Sequence, residues 1–212
     1  MPNLNNLPAA PKHETDPLFS LKEKMEKDTD LPLRKGATRL VFGTGDPKSN
    51  MLFIGEGPGY WEDQKGEPFV GNAGKLLDSL LQSIELNRES VYITNVVHHR
   101  PPENRDPLPE EIDAYRPYLD AIIEIIKPKI IVTLGRYSMG KFLPGVKITA
   151  VHGRSFSINF KDREIVVVPM FHPAAALRNG EVMQQIKADF QKLPGTLSEM
   201  KTKIDVKQME LL

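Results

Sequence analysis

Five short apolar runs punctuate the chain: "RLVFGTG" (39–45), "NMLFIGEG" (50–57), "SVYITNVV" (90–97), "KIIVTLG" (129–135) and "EIVVVPMF" (164–171). Each is rich in Val, Ile, Leu or Phe and ends in glycine, proline or a polar cluster, which predicts strands. Between them the apolar positions recur at helical spacing. Leu18, Leu21 and Met25 lie on one face of "PLFSLKEKMEKD", and Leu76, Leu77, Leu80 and Leu81 on one face of "AGKLLDSLLQSI". A long run, "PEEIDAYRPYLDAIIEII", and the shorter "RYSMGKFL" and "EVMQQIKADFQKL" complete the predicted helices. Near-continuous apolar strands alternating with helices imply an α/β fold whose mainly parallel sheet is covered on both faces.

Around this pattern, residues 1–16 are rich in Pro and Asn with little to pack, which predicts a flexible lead-in. The domain is expected over 17–195, with 196–212 as a tail. No internal repeat is found.

Parallel sheets bind ligands in the crevice outside the carboxyl ends of their strands. The polar residues gather there. "GEGPGYWED" follows "MLFI", "NVVHHRPPEN" follows "VYIT", and "HPAAALRNG" follows "VVVPMF", while "IIVTLG" leads into Arg136. Each has a plain structural explanation taken singly: a tight glycine turn, an asparagine capping a strand end, a satisfied histidine before a proline turn. Their joint placement favours a site. "GEGPG" is not the dinucleotide G-x-G-x-x-G, so a Rossmann cofactor is not implied.

Composition narrows the chemistry. At 212 residues, 40% of them apolar, the chain suits one globular domain. Lys plus Arg number 28 and Asp plus Glu 28, so no global positive field draws a polyanion, and only a local basic patch remains open. The absence of cysteine excludes disulfides, thiolate metal sites, cysteine-ligated iron–sulfur clusters and cysteine nucleophiles. No apolar run approaches the eighteen or so residues of a membrane span, and the opening lacks a signal-peptide pattern, so a cytoplasmic protein is expected. His98 and His99 invite a metal reading, but neighbours on an extended segment point to opposite sides and chelate poorly.

Three segments, "GEGPGYWEDQKGEPFVGNAGKLLDSLL", "VYITNVVHHRPPENRDPLPEEI" and "FHPAAALRNG", resemble in order and separation the sequence blocks of the family 4 uracil-DNA glycosylases. The likeness runs from about Gly36 to Leu193. It implies a three-layer α/β/α sandwich around a central, mainly parallel four-stranded sheet. It also implies an enzyme that turns deoxyuridine out of single- or double-stranded DNA and hydrolyses its N-glycosidic bond, leaving an abasic site.

The resemblance carries roles onto matching residues. Phe69 stacks on the base, Asn95 reads its O4 and N3–H edge, and Gly57 belongs to the pocket turn. His172 is the side-chain donor for the leaving uracil O2. Glu56 positions water or stabilises the sugar cation, and Glu62 supports the first-block loop. Asn104, Leu177 and Arg178 are the DNA-contact candidates, Leu177 as wedge. Ala175 and Ala176 are small for an insertion segment, which favours unpaired substrates, where less unstacking energy must be met. Broader scope toward hypoxanthine or xanthine, and uracil-DNA binding without turnover, are the alternatives.

The departure is at the [4Fe–4S] cluster that such relatives hold on four cysteines. The matching positions here are Asp28, Leu31, His99 and Tyr115, and Asp, Leu and Tyr cannot replace thiolates around such a cluster. The expectation is therefore no cofactor and no metal, with Leu31 and Tyr115 filling the cluster's volume, His99 at a vacated ligand position and His98 on the loop surface. The protein is expected to be a monomer. "VKQMELL" resembles the short peptides by which bacterial repair proteins dock on the sliding clamp, making Gln208–Leu212 a candidate clamp-binding segment.

Overall fold

The computed structural model describes residues 16–198. The expected lead-in up to residue 15 and the candidate clamp peptide lie outside those residues. The elements in chain order are α1 (Pro17–Lys27), β1 (Thr44–Gly45), β2 (Met51–Gly55), α2 (Tyr60–Lys65), α3 (Asn72–Gln82), β3 (Tyr92–Asn95), α4 (Pro109–Ile126), β4 (Ile130–Leu134), α5 (Arg136–Gly140), α6 (Ile148–Val151), β5 (Phe156–Phe160), β6 (Arg163–Met170), α7 (Pro173–Ala176) and α8 (Gly180–Phe190).

The sheet has six strands in the order β1-β3-β2-β4-β6-β5. The inner four are parallel, and an antiparallel strand lies at each edge. The inner four are the expected central parallel sheet, and the two antiparallel edge strands extend it. The "RLVFGTG" run pairs only through Thr44 and Gly45. Upstream of them, Val41 N–H donates to the His98 carbonyl at 2.9 Å, and the Thr94 hydroxyl donates to the Phe42 carbonyl at 2.7 Å, so the segment is held irregularly. β5 has no continuous apolar run; it alternates half-buried and exposed, and joins β6 through Lys161, whose φ is 52°.

Period-two alternation explains the layers. Leu52, Ile54, Ile131 and Val167 face one side, against Leu119, Ile122 and Ile123 of α4, with Met25 of α1 in the same cluster. Phe53, Ile93, Val132 and Val168 face the other, against Leu77 and Leu81 of α3 and Phe190 of α8. Each such side chain, fully buried, stabilises the fold by about 1.5–3 kcal/mol. Both faces being covered is why the strands are apolar almost throughout.

The long helix α4 starts on Pro109, where a missing N–H costs nothing. Glu111 accepts from Leu108 N–H at 2.8 Å and from both terminal nitrogens of Arg105, fixing the loop that enters the helix. Among the described residues, no helix is long and apolar enough to cross a membrane.

Candidate active site

The parallel strands β2, β3, β4 and β6 all end at one cavity of about 600 Å³. Glu56 and Gly57 reach it from β2, Asn95 closes β3, Gly135 and Arg136 follow β4, and His172 follows β6. Phe69, Glu62, Asn104 and Arg178 complete the predicted residues that line it. Leu177 does not line it; its side chain stands outside, 49% exposed.

Asn95 is 1% exposed and lines the cavity, so its amide is presented to whatever the cavity holds. Gly55, directly opposite Asn95 in the β2–β3 ladder, explains the close packing: a Cβ there would lie 2.4 Å from Asn95 Oδ1 and 2.6 Å from the Phe69 ring. The sequence pattern singles out this glycine as a turn residue. Its actual job is steric.

Phe69 has a left-handed φ of 54°, and three residues, Glu62, Arg88 and Gly74, accommodate it there. Glu62 Oε1 accepts from the next two backbone N–H groups, Val70 at 2.9 Å and Gly71 at 2.8 Å. Arg88 donates to the Phe69 carbonyl at 3.0 Å and to the Pro68 carbonyl. Gly74 lets α3 pass under the Phe69 carbonyl, where any Cβ would clash. Sequence reasoning missed Arg88, which lies 19 positions from its acceptor and belongs to no block.

His172 is the N-cap of α7, and its Nδ1 accepts from Ala174 N–H at 3.1 Å. In the neutral ring the proton therefore sits on Nε2. Burial lowers the pKa to about 4, the Glu62 carboxylate opposing the shift and Arg178 adding to it. Its ring lies 5.6 Å from that of Phe69.

Glu56 is moved the other way. Burial raises its carboxyl to about 7, with Asp106 adding repulsion and Arg136 opposing it. Asp106 and Arg136 form an ion pair with each other and line the cavity. Asp106 was not singled out in the sequence, where it lies within "RPPENRDP" as one more polar loop residue. Asn104, also left-handed at φ 55°, accepts from Arg100 Nε at 2.8 Å.

His98 departs from expectation. It is fully buried, not on the loop surface; Nε2 lies 3.2 Å from the Thr94 hydroxyl, and Nδ1 has no protein partner among the described residues. The apolar run before it continues inward through Val96 and Val97, which carries the histidine into the core.

His99 Nδ1 lies 2.7 Å from the Tyr115 hydroxyl, Leu31 and Tyr115 share the apolar cluster under α4, and Tyr118 donates to Asp28 at 2.6 Å. These residues do not fit an iron–sulfur cluster, since a leucine and a hydrogen-bonded tyrosine stand at two of the positions that the resemblance assigns to its ligands. Among the described residues no three His, Asp or Glu side chains come together to hold a metal.

A parallel sheet whose strand ends gather an aromatic face, an amide and a histidine around one cavity offers stacking and hydrogen bonding to a planar heterocycle. The chain matches the uracil DNA glycosylase superfamily over residues 42–193, and it belongs to that superfamily. It is 46% identical over 186 residues to the type-4 uracil-DNA glycosylase of Sulfurisphaera tokodaii, covering 84% of each chain. It is 43% identical to that of Archaeoglobus fulgidus (76% of this chain, 83% of the relative) and 41% identical to that of Saccharolobus solfataricus (90% and 91%).

Proposed function

We propose that the protein is a monofunctional uracil-DNA glycosylase of base-excision repair. The observation that carries this is the convergence of Asn95, Phe69 and His172 on one cavity. A base in a duplex cannot be reached, so the deoxyuridine is flipped into the cavity. Phe69 stacks on its face. Asn95 donates to O4 and accepts from N3–H, a pattern that cytosine, with a donor and a bare acceptor, fails.

Hydrolysis breaks the bond between sugar C1′ and uracil N1, leaving positive charge on the sugar and negative charge on the leaving base. The Nε2–H of His172 stabilises the charge at O2, as a neutral donor that needs no proton from solution. Glu56, in its ionised form, stabilises the sugar cation and holds the water whose oxygen bonds to C1′ while its proton passes to the carboxylate. Gly57 leaves the turn beside it free of side chain. Glu62 keeps Phe69 in place, and Asn104, Leu177 and Arg178 meet the DNA.

The lost cysteines and the filled volume around Tyr115 support catalysis without a cluster or metal. The protein acts as a monomer in the cytoplasm, with Gln208–Leu212 as its clamp-docking peptide. Incubation of purified protein in EDTA with uracil-containing single- and double-stranded oligonucleotides, then alkali, tests the activity. Strand cleavage at the uracil is expected. Binding without cleavage, or excision of hypoxanthine in preference to uracil, would overturn it.

A further inference from the structure

Two large aromatic side chains stand in solvent beside the cavity. Tyr60 is 50% exposed and Trp61 58% exposed, at the start of α2. They follow the Glu56–Gly59 wall directly, and both Gly59 and Glu62, on either side of them in sequence, line the cavity. Exposing so much ring to water is unfavourable unless something covers it.

The pair is also held. The rings meet edge to face, centroids 5.2 Å apart at 79°. The Arg100 guanidinium lies 5.2 Å from the Tyr60 ring centroid, and the same side chain is tied to Asn104 at the cavity rim. Trp61 lies near Gly71, where an added Cβ would stand at ordinary van der Waals distance, 3.6 Å, from the indole. A fixed aromatic surface with a cation at its side is the arrangement that unpaired bases stack on.

Building on the glycosylase reading, we propose that Tyr60 and Trp61 form a stacking subsite for a nucleobase adjacent to the flipped uridine on the same strand. A nucleotide in the cavity remains linked through its phosphates to its neighbours, so those neighbours must cross the rim, where the pair stands. In a duplex the neighbouring base stays paired and stacked on its far side, with the wedge against the gap, whereas in a single strand it is unpaired and can turn out onto the pair. The subsite therefore selects unpaired DNA. Stacking is a fitting source of affinity here, since cations and anions balance at 28 each and the chain offers no overall attraction for a polyanion.

Trp61 is the sole tryptophan of the chain, so its emission reports on this position alone. Full-length protein is titrated with a single-stranded oligonucleotide carrying 2′-fluoro-2′-deoxyuridine, which resists cleavage, with the same oligonucleotide as a duplex, and with free uracil. Saturable quenching by the single strand, weaker with the duplex and absent with uracil, is expected. In steady-state excision Trp61→Ala raises KM on single strands about tenfold, the scale of one base–aromatic stack, with kcat and duplex kinetics little changed. Trp61→Phe restores most of it, and thermal melting shows that both variants are folded. Absent quenching by the single strand, or equal KM increases on both substrates, overturns the subsite while wild-type excision leaves the glycosylase reading standing. Failure of the wild type to excise uracil from either substrate overturns both.

Discussion

Nδ1 of His99 lies 2.7 Å from the hydroxyl oxygen of Tyr115, joining the loop after β3 to the long helix α4. The two residues stand at positions where the resemblance implies cluster-ligating cysteines, and one hydrogen bond makes the join. Tyr115 is also fully buried, so its ring fills volume while its hydroxyl finds a partner.

Tyr115→Phe removes the hydroxyl and leaves a buried imidazole nitrogen unpaired. A loss of about 1–3 kcal/mol in unfolding free energy is expected, measured by urea titration. Excision per folded molecule should stay within about twofold, because Phe preserves the packing.

Acid should unfold the protein through its buried histidines. Burial holds His98 near pKa 3 and His99 near 4, against about 6.5 in the unfolded chain. The unfolded state thus binds protons that the native state refuses, and stability falls as pH drops from about 6.5 toward 4. Each histidine contributes about 1.4 kcal/mol per pH unit in that window. His98→Leu, which also removes the unpartnered Nδ1, should flatten the decline in a pH series of thermal melts.

The carboxyl of Glu56 sits at about 7, and in the proposed mechanism its ionised form is the active one. Single-turnover excision should therefore rise with pH through neutrality and level off above about 8. Glu56→Gln should be slower by at least about a hundredfold and lose that rise. Asp106→Asn, by deleting the nearby negative charge, should move the midpoint to lower pH.

Gly55→Ala places a methyl against Asn95 Oδ1 and the Phe69 ring. Displacing both groups proposed to contact the base should lower kcat/KM by about a hundredfold or more, since small misplacements of positioning residues cost that much. Circular dichroism should show the fold retained. Wild-type rates in this variant would show that the two side chains can yield, and that their close packing is not required.

Much of the site was legible along the chain because strand ends in a parallel sheet are also the ends of apolar runs. Asn95, Glu56 and His172 each follow such a run, so a linear pattern located them in space. Arg88, Asp106 and Gly55 were not legible. Their importance lies in what they act on: a carbonyl 19 residues away, a carboxylate on another segment whose charge Asp106 opposes, and two side chains packed against Gly55.

The sequence by itself determined the layered α/β fold, since continuous apolar strands need cover on both faces and the helices between them supply it. It also excluded thiolate chemistry, a matter of composition alone. Only the tertiary structure decided the environment of each group. Whether a histidine faces solvent or core depends on which segments pack over it, and that is how His98, expected at the surface, comes to be buried beside Thr94. The opposed pKa shifts of Glu56 and His172 arise likewise from burial beside residues far apart in the chain.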